Sequence, residues 1–132
     1  MPTSIKGIVF SGPERGKHYI EYFHYRLRAV MKFEPFFGTL DLKTERPVDI
    51  SSVAEAKELG HIGEQGIHHV EAHLMPVVLK CAGGECQAWA MQIEPIHDER
   101  SVYDKDVFEI VASECLRTKL GLKDDDEVEI IF

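Results

Sequence analysis

VEAHLMPVVLKCAGGECQAWAMQIE, running from Val70 to Glu94, sets the fold class. Val70, Ala72 and Leu74 alternate with polar neighbours and lead into Val77-Val78-Leu79; after Gly83-Gly84 the alternation resumes at Trp89, Met91 and Ile93. A period of two marks a strand with one buried face, and two such runs about a glycine pair predict a β-hairpin.

Working outward, Ser4 to Phe10 is a strand-like run that stops at Ser11-Gly12-Pro13, a loop signal. Ile20, Phe23, Leu27, Val30 and Met31 fall at helical spacing and predict an amphipathic helix over Tyr19 to Phe33. Thr39 to Lys43 alternates as a strand, and Pro47 to Ile50 reads as a second short extended piece. Ser51 to Glu55 offers N-cap residues ahead of a short helical run ending near Gly60. Towards the end, Val107 to Val111 is strand-like, Ser113 to Leu120 fits a short helix, and Val128, Ile130 and Phe132 alternate again. Many short strands with few helices, and no regular strand–helix alternation, predict a mainly β protein, a β-barrel with a few helices. Without repeats, low-complexity tracts or linkers, one domain over residues 1–132 is expected.

Composition narrows the function. Fifteen basic against 23 acidic residues give a net charge of −8, which opposes the counterion-release driving force for nucleic-acid binding. No apolar run approaches the roughly 18 residues of a membrane span, and Met1 to Lys17 lacks a secretory pattern, so a cytoplasmic protein with no membrane association is expected. Cys81, Cys86 and Cys115 lack paired zinc spacing and read as reduced thiols. His61, His68, His69 and His73 crowd one region, but no Glu directly follows a His as in His-Glu-Xaa-Xaa-His; they read as solvent-facing strand residues in preference to a zinc site.

Three segments carry polar residues in patterns suited to chemistry. Gly7 to Tyr19 runs from a strand into a loop with Gly12, Arg15, Gly16 and Lys17. Glycines let backbone N–H groups approach phosphate oxygens, and the basic residues supply charge. It is not a Walker A loop, since Gly12 and Gly16 are one residue too close and His18 stands at the Ser/Thr position; alone it also fits a surface loop. In Phe33 to Leu42, Thr39 and Asp41 share a strand face, placing a hydroxyl beside a carboxylate as Mg²⁺ prefers, although a solvated edge strand has the same pattern. In Arg100 to Leu120, Glu109 interrupts an apolar run, either as the outward residue of a strand or as an acceptor for a polar ligand, and Arg117 and Lys119 could reach phosphate.

Together the segments resemble a known family. A Gly-Xaa-Val-Xaa-Ser-Gly start, then Phe-Xaa-Pro-Xaa-Xaa-Gly-Thr-Leu-Asn-Leu, then Glu-Ile-Ile-Ala leading to Leu-Arg and a Leu-Lys-Asp-Gly-Asp turn, is similar to archaeal CTP-dependent riboflavin kinases; Gly7 to Tyr19, Phe33 to Leu42 and Glu109 to Ile130 are the counterparts here. The resemblance implies a six-stranded cradle-loop barrel, CTP as phosphoryl donor, Mg²⁺, and conversion of riboflavin to FMN with release of CDP. It implies nucleotide-binding roles for Gly12, Pro13, Glu14, Arg15, Gly16 and Lys17, and for Glu114, Cys115, Leu116, Arg117, Thr118 and Lys119. It implies Thr39 and Asp41 as metal ligands and Ser101 and Glu109 as flavin contacts, with Phe36, Phe37 or Tyr103 available to the flavin ring. Against the family pattern, Gly12-Pro13-Glu14-Arg15-Gly16 replaces Gly-Xaa-Gly-Glu-Gly, Asp41 replaces Asn, Ser101 replaces Thr and Asp125 replaces Gly. A monomer is the favoured state. The alternative is a non-catalytic flavin- or nucleotide-binding module on the same barrel, and a transcription-factor-like relative is disfavoured by the acidic composition.

Overall fold

A computed structural model describes residues 3–12, 15–50, 56–61, 69–95 and 105–132. In chain order these hold β1 (Ser4–Phe10), α1 (Arg15–Met31), β2 (Leu40–Thr44), β3 (Ala56–His61), β4 (His69–Cys81), β5 (Gly84–Pro95), β6 (Val107–Val111), α2 (Leu116–Leu120) and β7 (Glu127–Ile131).

The sheet order is β3-β4-β5-β6-β2-β1-β7, and β7 returns to pair with β4, so six strands close a ring. Every pairing is antiparallel. The long strand β4 makes closure possible: its first half, His69 to Leu74, takes β3, and Val78 to Lys80 takes Ile131 to Glu129 of β7. The expected hairpin is β4–β5, in register from Val70–Pro95 to Cys81–Gly84. The result is the expected mainly β barrel.

Alternation divides the side chains into two cores. Inside the ring pack Ile5, Val9, Leu42, Leu79, Phe108 and Ile130, with others of the same parity. Outside, α1 lays Ile20, Leu27 and Met31 over Ala72, Leu74, Met91 and Val111 of β4, β5 and β6. These three helical residues recur at intervals of seven and four, which places them on one face. The helix begins at Arg15, earlier than the apolar period shows, and ends where Lys32 turns left-handed at φ 67°.

Other expectations are corrected. The segment ending near Gly60 is not helical: Ala56–His61 is β3, because hydrogen bonding to the free edge of β4 outweighs the helix preference of Ala, Lys, Glu and Leu. Its supposed cap, Ser51 to Glu55, lies outside the described residues. Pro47 to Ile50 joins no strand; Gln92 fixes it by accepting from the Ile50 N–H at 3.2 Å and donating to the Val48 carbonyl at 2.6 Å, so that Val48 and Ile50 pack into the inner core. His73 is not on a solvent face: it is 2% exposed and sits opposite Gln92 inside the barrel. His68 and the rest of 62–68 lie outside the described residues.

Candidate functional site

Three strands bring the distant segments together. The end of β1 pairs with the start of β2 as Phe10–Asp41, and the next strand places Glu109 opposite Asp41. Directly opposed residues share a sheet face with Cβ atoms about 4.5–5.5 Å apart. Asp41 and Glu109 therefore stand side by side although they are far apart in sequence. Glu109 is 7% exposed, so it is not a solvated strand residue.

Asp41 is held from two directions. The Thr39 hydroxyl donates to its Oδ1 at 3.1 Å and the Gly12 N–H donates to its Oδ2 at 3.2 Å. Burial pushes its carboxyl up from the ordinary range, and the two hydrogen bonds and the Arg117 charge pull against that without cancelling it. A Cβ at position 12 would lie 2.7 Å from Asp41 Oδ2 and 2.9 Å from the Phe10 ring, so a side chain there would displace one or the other. Glycine lets the backbone approach the carboxylate without that displacement.

The donor set fits a small hard cation. Two cis ligands of an octahedral Mg²⁺ with bonds of 2.0–2.1 Å have oxygens roughly 2.9 Å apart, close to the 3.1 Å between Thr39 Oγ1 and Asp41 Oδ1. Among the described residues no three His, Cys, Asp or Glu side chains gather as a metal cage.

A basic group closes the other side. Arg117 lies in the short helix α2, with the buried Leu116 anchoring the helix in the inner core. Its Nη2 donates to Asp124 Oδ1 at 2.8 Å, to the Phe10 carbonyl at 3.3 Å and to Ser11 Oγ at 3.4 Å. The Ser11 hydroxyl in turn donates to the Asp124 carboxylate at 2.9 Å. A small cleft bounded by Phe36, Thr39, Ala112, Glu114, Cys115 and Arg117 runs between these elements. The Thr118 hydroxyl lowers the Cys115 thiol from its ordinary range.

The structure thus brings Gly12, Thr39, Asp41, Glu109 and Arg117 into one neighbourhood. Leu116 belongs to the core, and Lys119, paired with Glu114 at 2.9 Å, lines an adjoining cavity of about 670 Å³ walled by Phe33, Trp89 and Phe132. Arg15, Gly16 and Lys17 occupy the first turn of α1 instead of a loop. Pro13, Glu14, Ser101 and Tyr103 lie outside the described residues. Ser11 and Asp124 were missed as functional candidates; the only sequence signal at Asp124 was its place in the late acidic turn.

A family model described as CTP-dep_RFKase, Domain of unknown function DUF120, matches residues 9–131. The chain is similar to a "Riboflavin kinase" of Thermoplasma volcanium, 36% identical over 130 residues that cover 94% of this chain and 54% of that protein. It is similar to a "Riboflavin kinase" of Archaeoglobus fulgidus, 31% identical over 133 residues covering 96% of this chain and 53% of the relative. A third, from Methanosphaera stadtmanae, is 29% identical over 133 residues and is itself 95% covered. The chain spans about half the length of the first two relatives and nearly all of the third.

Proposed function

The chain belongs to the CTP-dependent riboflavin kinase family, and on that footing we propose that it transfers the γ-phosphoryl group of CTP to the 5′-hydroxyl of riboflavin, releasing FMN and CDP. The observation that carries this reading is the convergence of the Gly12 N–H, the Thr39 hydroxyl, the Asp41 carboxylate and the Arg117 guanidinium beside Glu109. Phosphoryl transfer needs positioning and neutralisation of charge above all, and these groups provide both.

Thr39 and Asp41 would hold Mg²⁺, which when bound screens the nucleotide phosphates. Arg117 and the first turn of α1, with Arg15, Gly16 and Lys17, take the phosphate chain together with Gly12, Pro13 and Glu14. Glu114, Cys115, Thr118 and Lys119 complete the nucleotide contacts. Glu109 and Ser101 hold the flavin, Glu109 accepting a hydrogen bond from it next to the metal ligands. A net charge of −8 supports a small-molecule enzyme over a nucleic-acid binder, and no helix among the described residues is long and apolar enough to cross a membrane. A cytoplasmic monomer is part of the same proposal.

The test mixes purified protein with riboflavin, Mg²⁺ and each of the four nucleoside triphosphates and measures FMN by chromatography. FMN with CTP is expected; none with any donor overturns the enzyme, and tight riboflavin binding in that sample would favour the non-catalytic module. Thr39→Ala combined with Asp41→Ala should abolish metal-dependent turnover while riboflavin binding persists.

A further inference from the structure

Ser11 and Asp124 are not among the residues so far given a role, yet they hold the guanidinium assigned to phosphate. The geometry points to Asp124 as the positioning residue for Arg117: it fixes one edge of the guanidinium against β1 so that the side chain is already aimed when the nucleotide arrives. The inference rests on the proposed function.

Backbone contacts fix Asp124 before its side chain does anything. The Leu122 N–H donates to the Arg117 carbonyl at 2.9 Å, and Gly121, at φ 63°, caps α2 on the same carbonyl. Next along the chain, the Asp125 N–H donates to the Val9 carbonyl at 2.8 Å, and Val9 N–H donates to the Asp126 carbonyl at 2.9 Å. The turn is therefore tied to α2 just before Asp124 and docked on β1 just after it. Arg117 is the mobile partner, with several rotatable bonds, and Nη2 is the atom that Asp124, Ser11 and the Phe10 carbonyl share.

Stability does not account for the arrangement. Side-chain exposures of 35% for Arg117 and 51% for Asp124 put the pair among surface ion pairs, which contribute little to folding. Orientation is a different matter, because a flexible cation that must be ordered on binding loses affinity that an anchored one keeps. The guanidinium is also near enough to Asp41 for its charge to be felt there.

The experiment uses the whole chain and two readouts: the affinity for CDP with Mg²⁺ by calorimetry, and steady-state kinetics with CTP. Asp124→Ala should weaken CDP binding and raise the KM for CTP about tenfold, with kcat far less affected, a size within the usual range for coupled neighbours. Asp124→Asn, which keeps an acceptor for Nη2, should restore most of that loss. In an Arg117→Ala background the Asp124→Ala change should add nothing. CDP bound by Asp124→Ala as tightly as by wild type or more tightly, or a full loss that persists without Arg117, overturns the inference. Failure of wild type to make FMN would sink the proposed activity instead, leaving the CDP-binding cycle to judge Asp124.

Discussion

Replacing Asp125 by glycine should make the protein more stable. Asp125 is exposed and adopts φ 74°, in the left-handed region, in the late acidic turn. That conformation costs a residue with a Cβ roughly 1–2 kcal/mol, with Asp near the lower end because its short side chain can hydrogen-bond locally. Glycine removes the cost but gains freedom in the unfolded chain, returning about 0.5–1 kcal/mol. The balance is a net stabilisation of about 0.5 kcal/mol. At roughly 2.1 cal/mol/K of unfolding entropy per residue, a chain of 132 residues should gain about 2 °C in Tm. Thermal unfolding followed by circular dichroism would measure it, with Asp125→Ala as the control that keeps the Cβ and loses the local hydrogen bonding. If the glycine variant melts no higher than wild type, or the alanine variant matches it, the turn is not strained and the reasoning fails.

At the β4–β5 hairpin tip, a Cβ on Gly83 would collide with the Leu120 carbonyl oxygen, so Gly83→Ala should cost about 1–3 kcal/mol in urea denaturation, because backbone, unlike a side-chain tip, cannot step aside. The Asp124 carboxyl is held below its ordinary range, by the Arg117 hydrogen bond first and Ser11 second. Since its folded value is the lower one, its contribution to stability is present above the unfolded value and lost as pH falls through the folded one. The Tm difference between wild type and Asp124→Asn should therefore shrink as pH drops through the carboxylate range, and a difference constant with pH would contradict the ion pair.

Much of the barrel is legible locally. The runs at Ser4 to Phe10, Val70 to Glu94 and Val107 to Val111 alternate or stay apolar because each strand turns one face to a core, and a period of two survives in any single strand. Ring closure is not local: nothing near Val78 or Ile131 announces their pairing, which depends on the twist of all six strands. The run Ala56 to Leu59 is composed of helix formers and became a strand only because β4 outreaches its neighbours. Thr39 and Asp41 showed themselves by spacing, and Glu109 by interrupting an apolar run. Asp124 could not, since an acidic residue in an exposed turn is ordinary and its partner, Arg117, is recognised as such only once α2 is folded against β1.

The pairing of β1 with β7 places Ser4 opposite Ile131, and the Phe132 N–H donates to the Thr3 carbonyl at 2.9 Å. Both ends of the described fold leave from neighbouring strands. Polypeptide joined at either end would start from the same part of the barrel rim, so fused partners can be accommodated there at little topological expense. By the same proximity, a short tether between the two ends, with the chain reopened elsewhere, would rearrange the order of the strands along the polypeptide while leaving every neighbour in the ring unchanged.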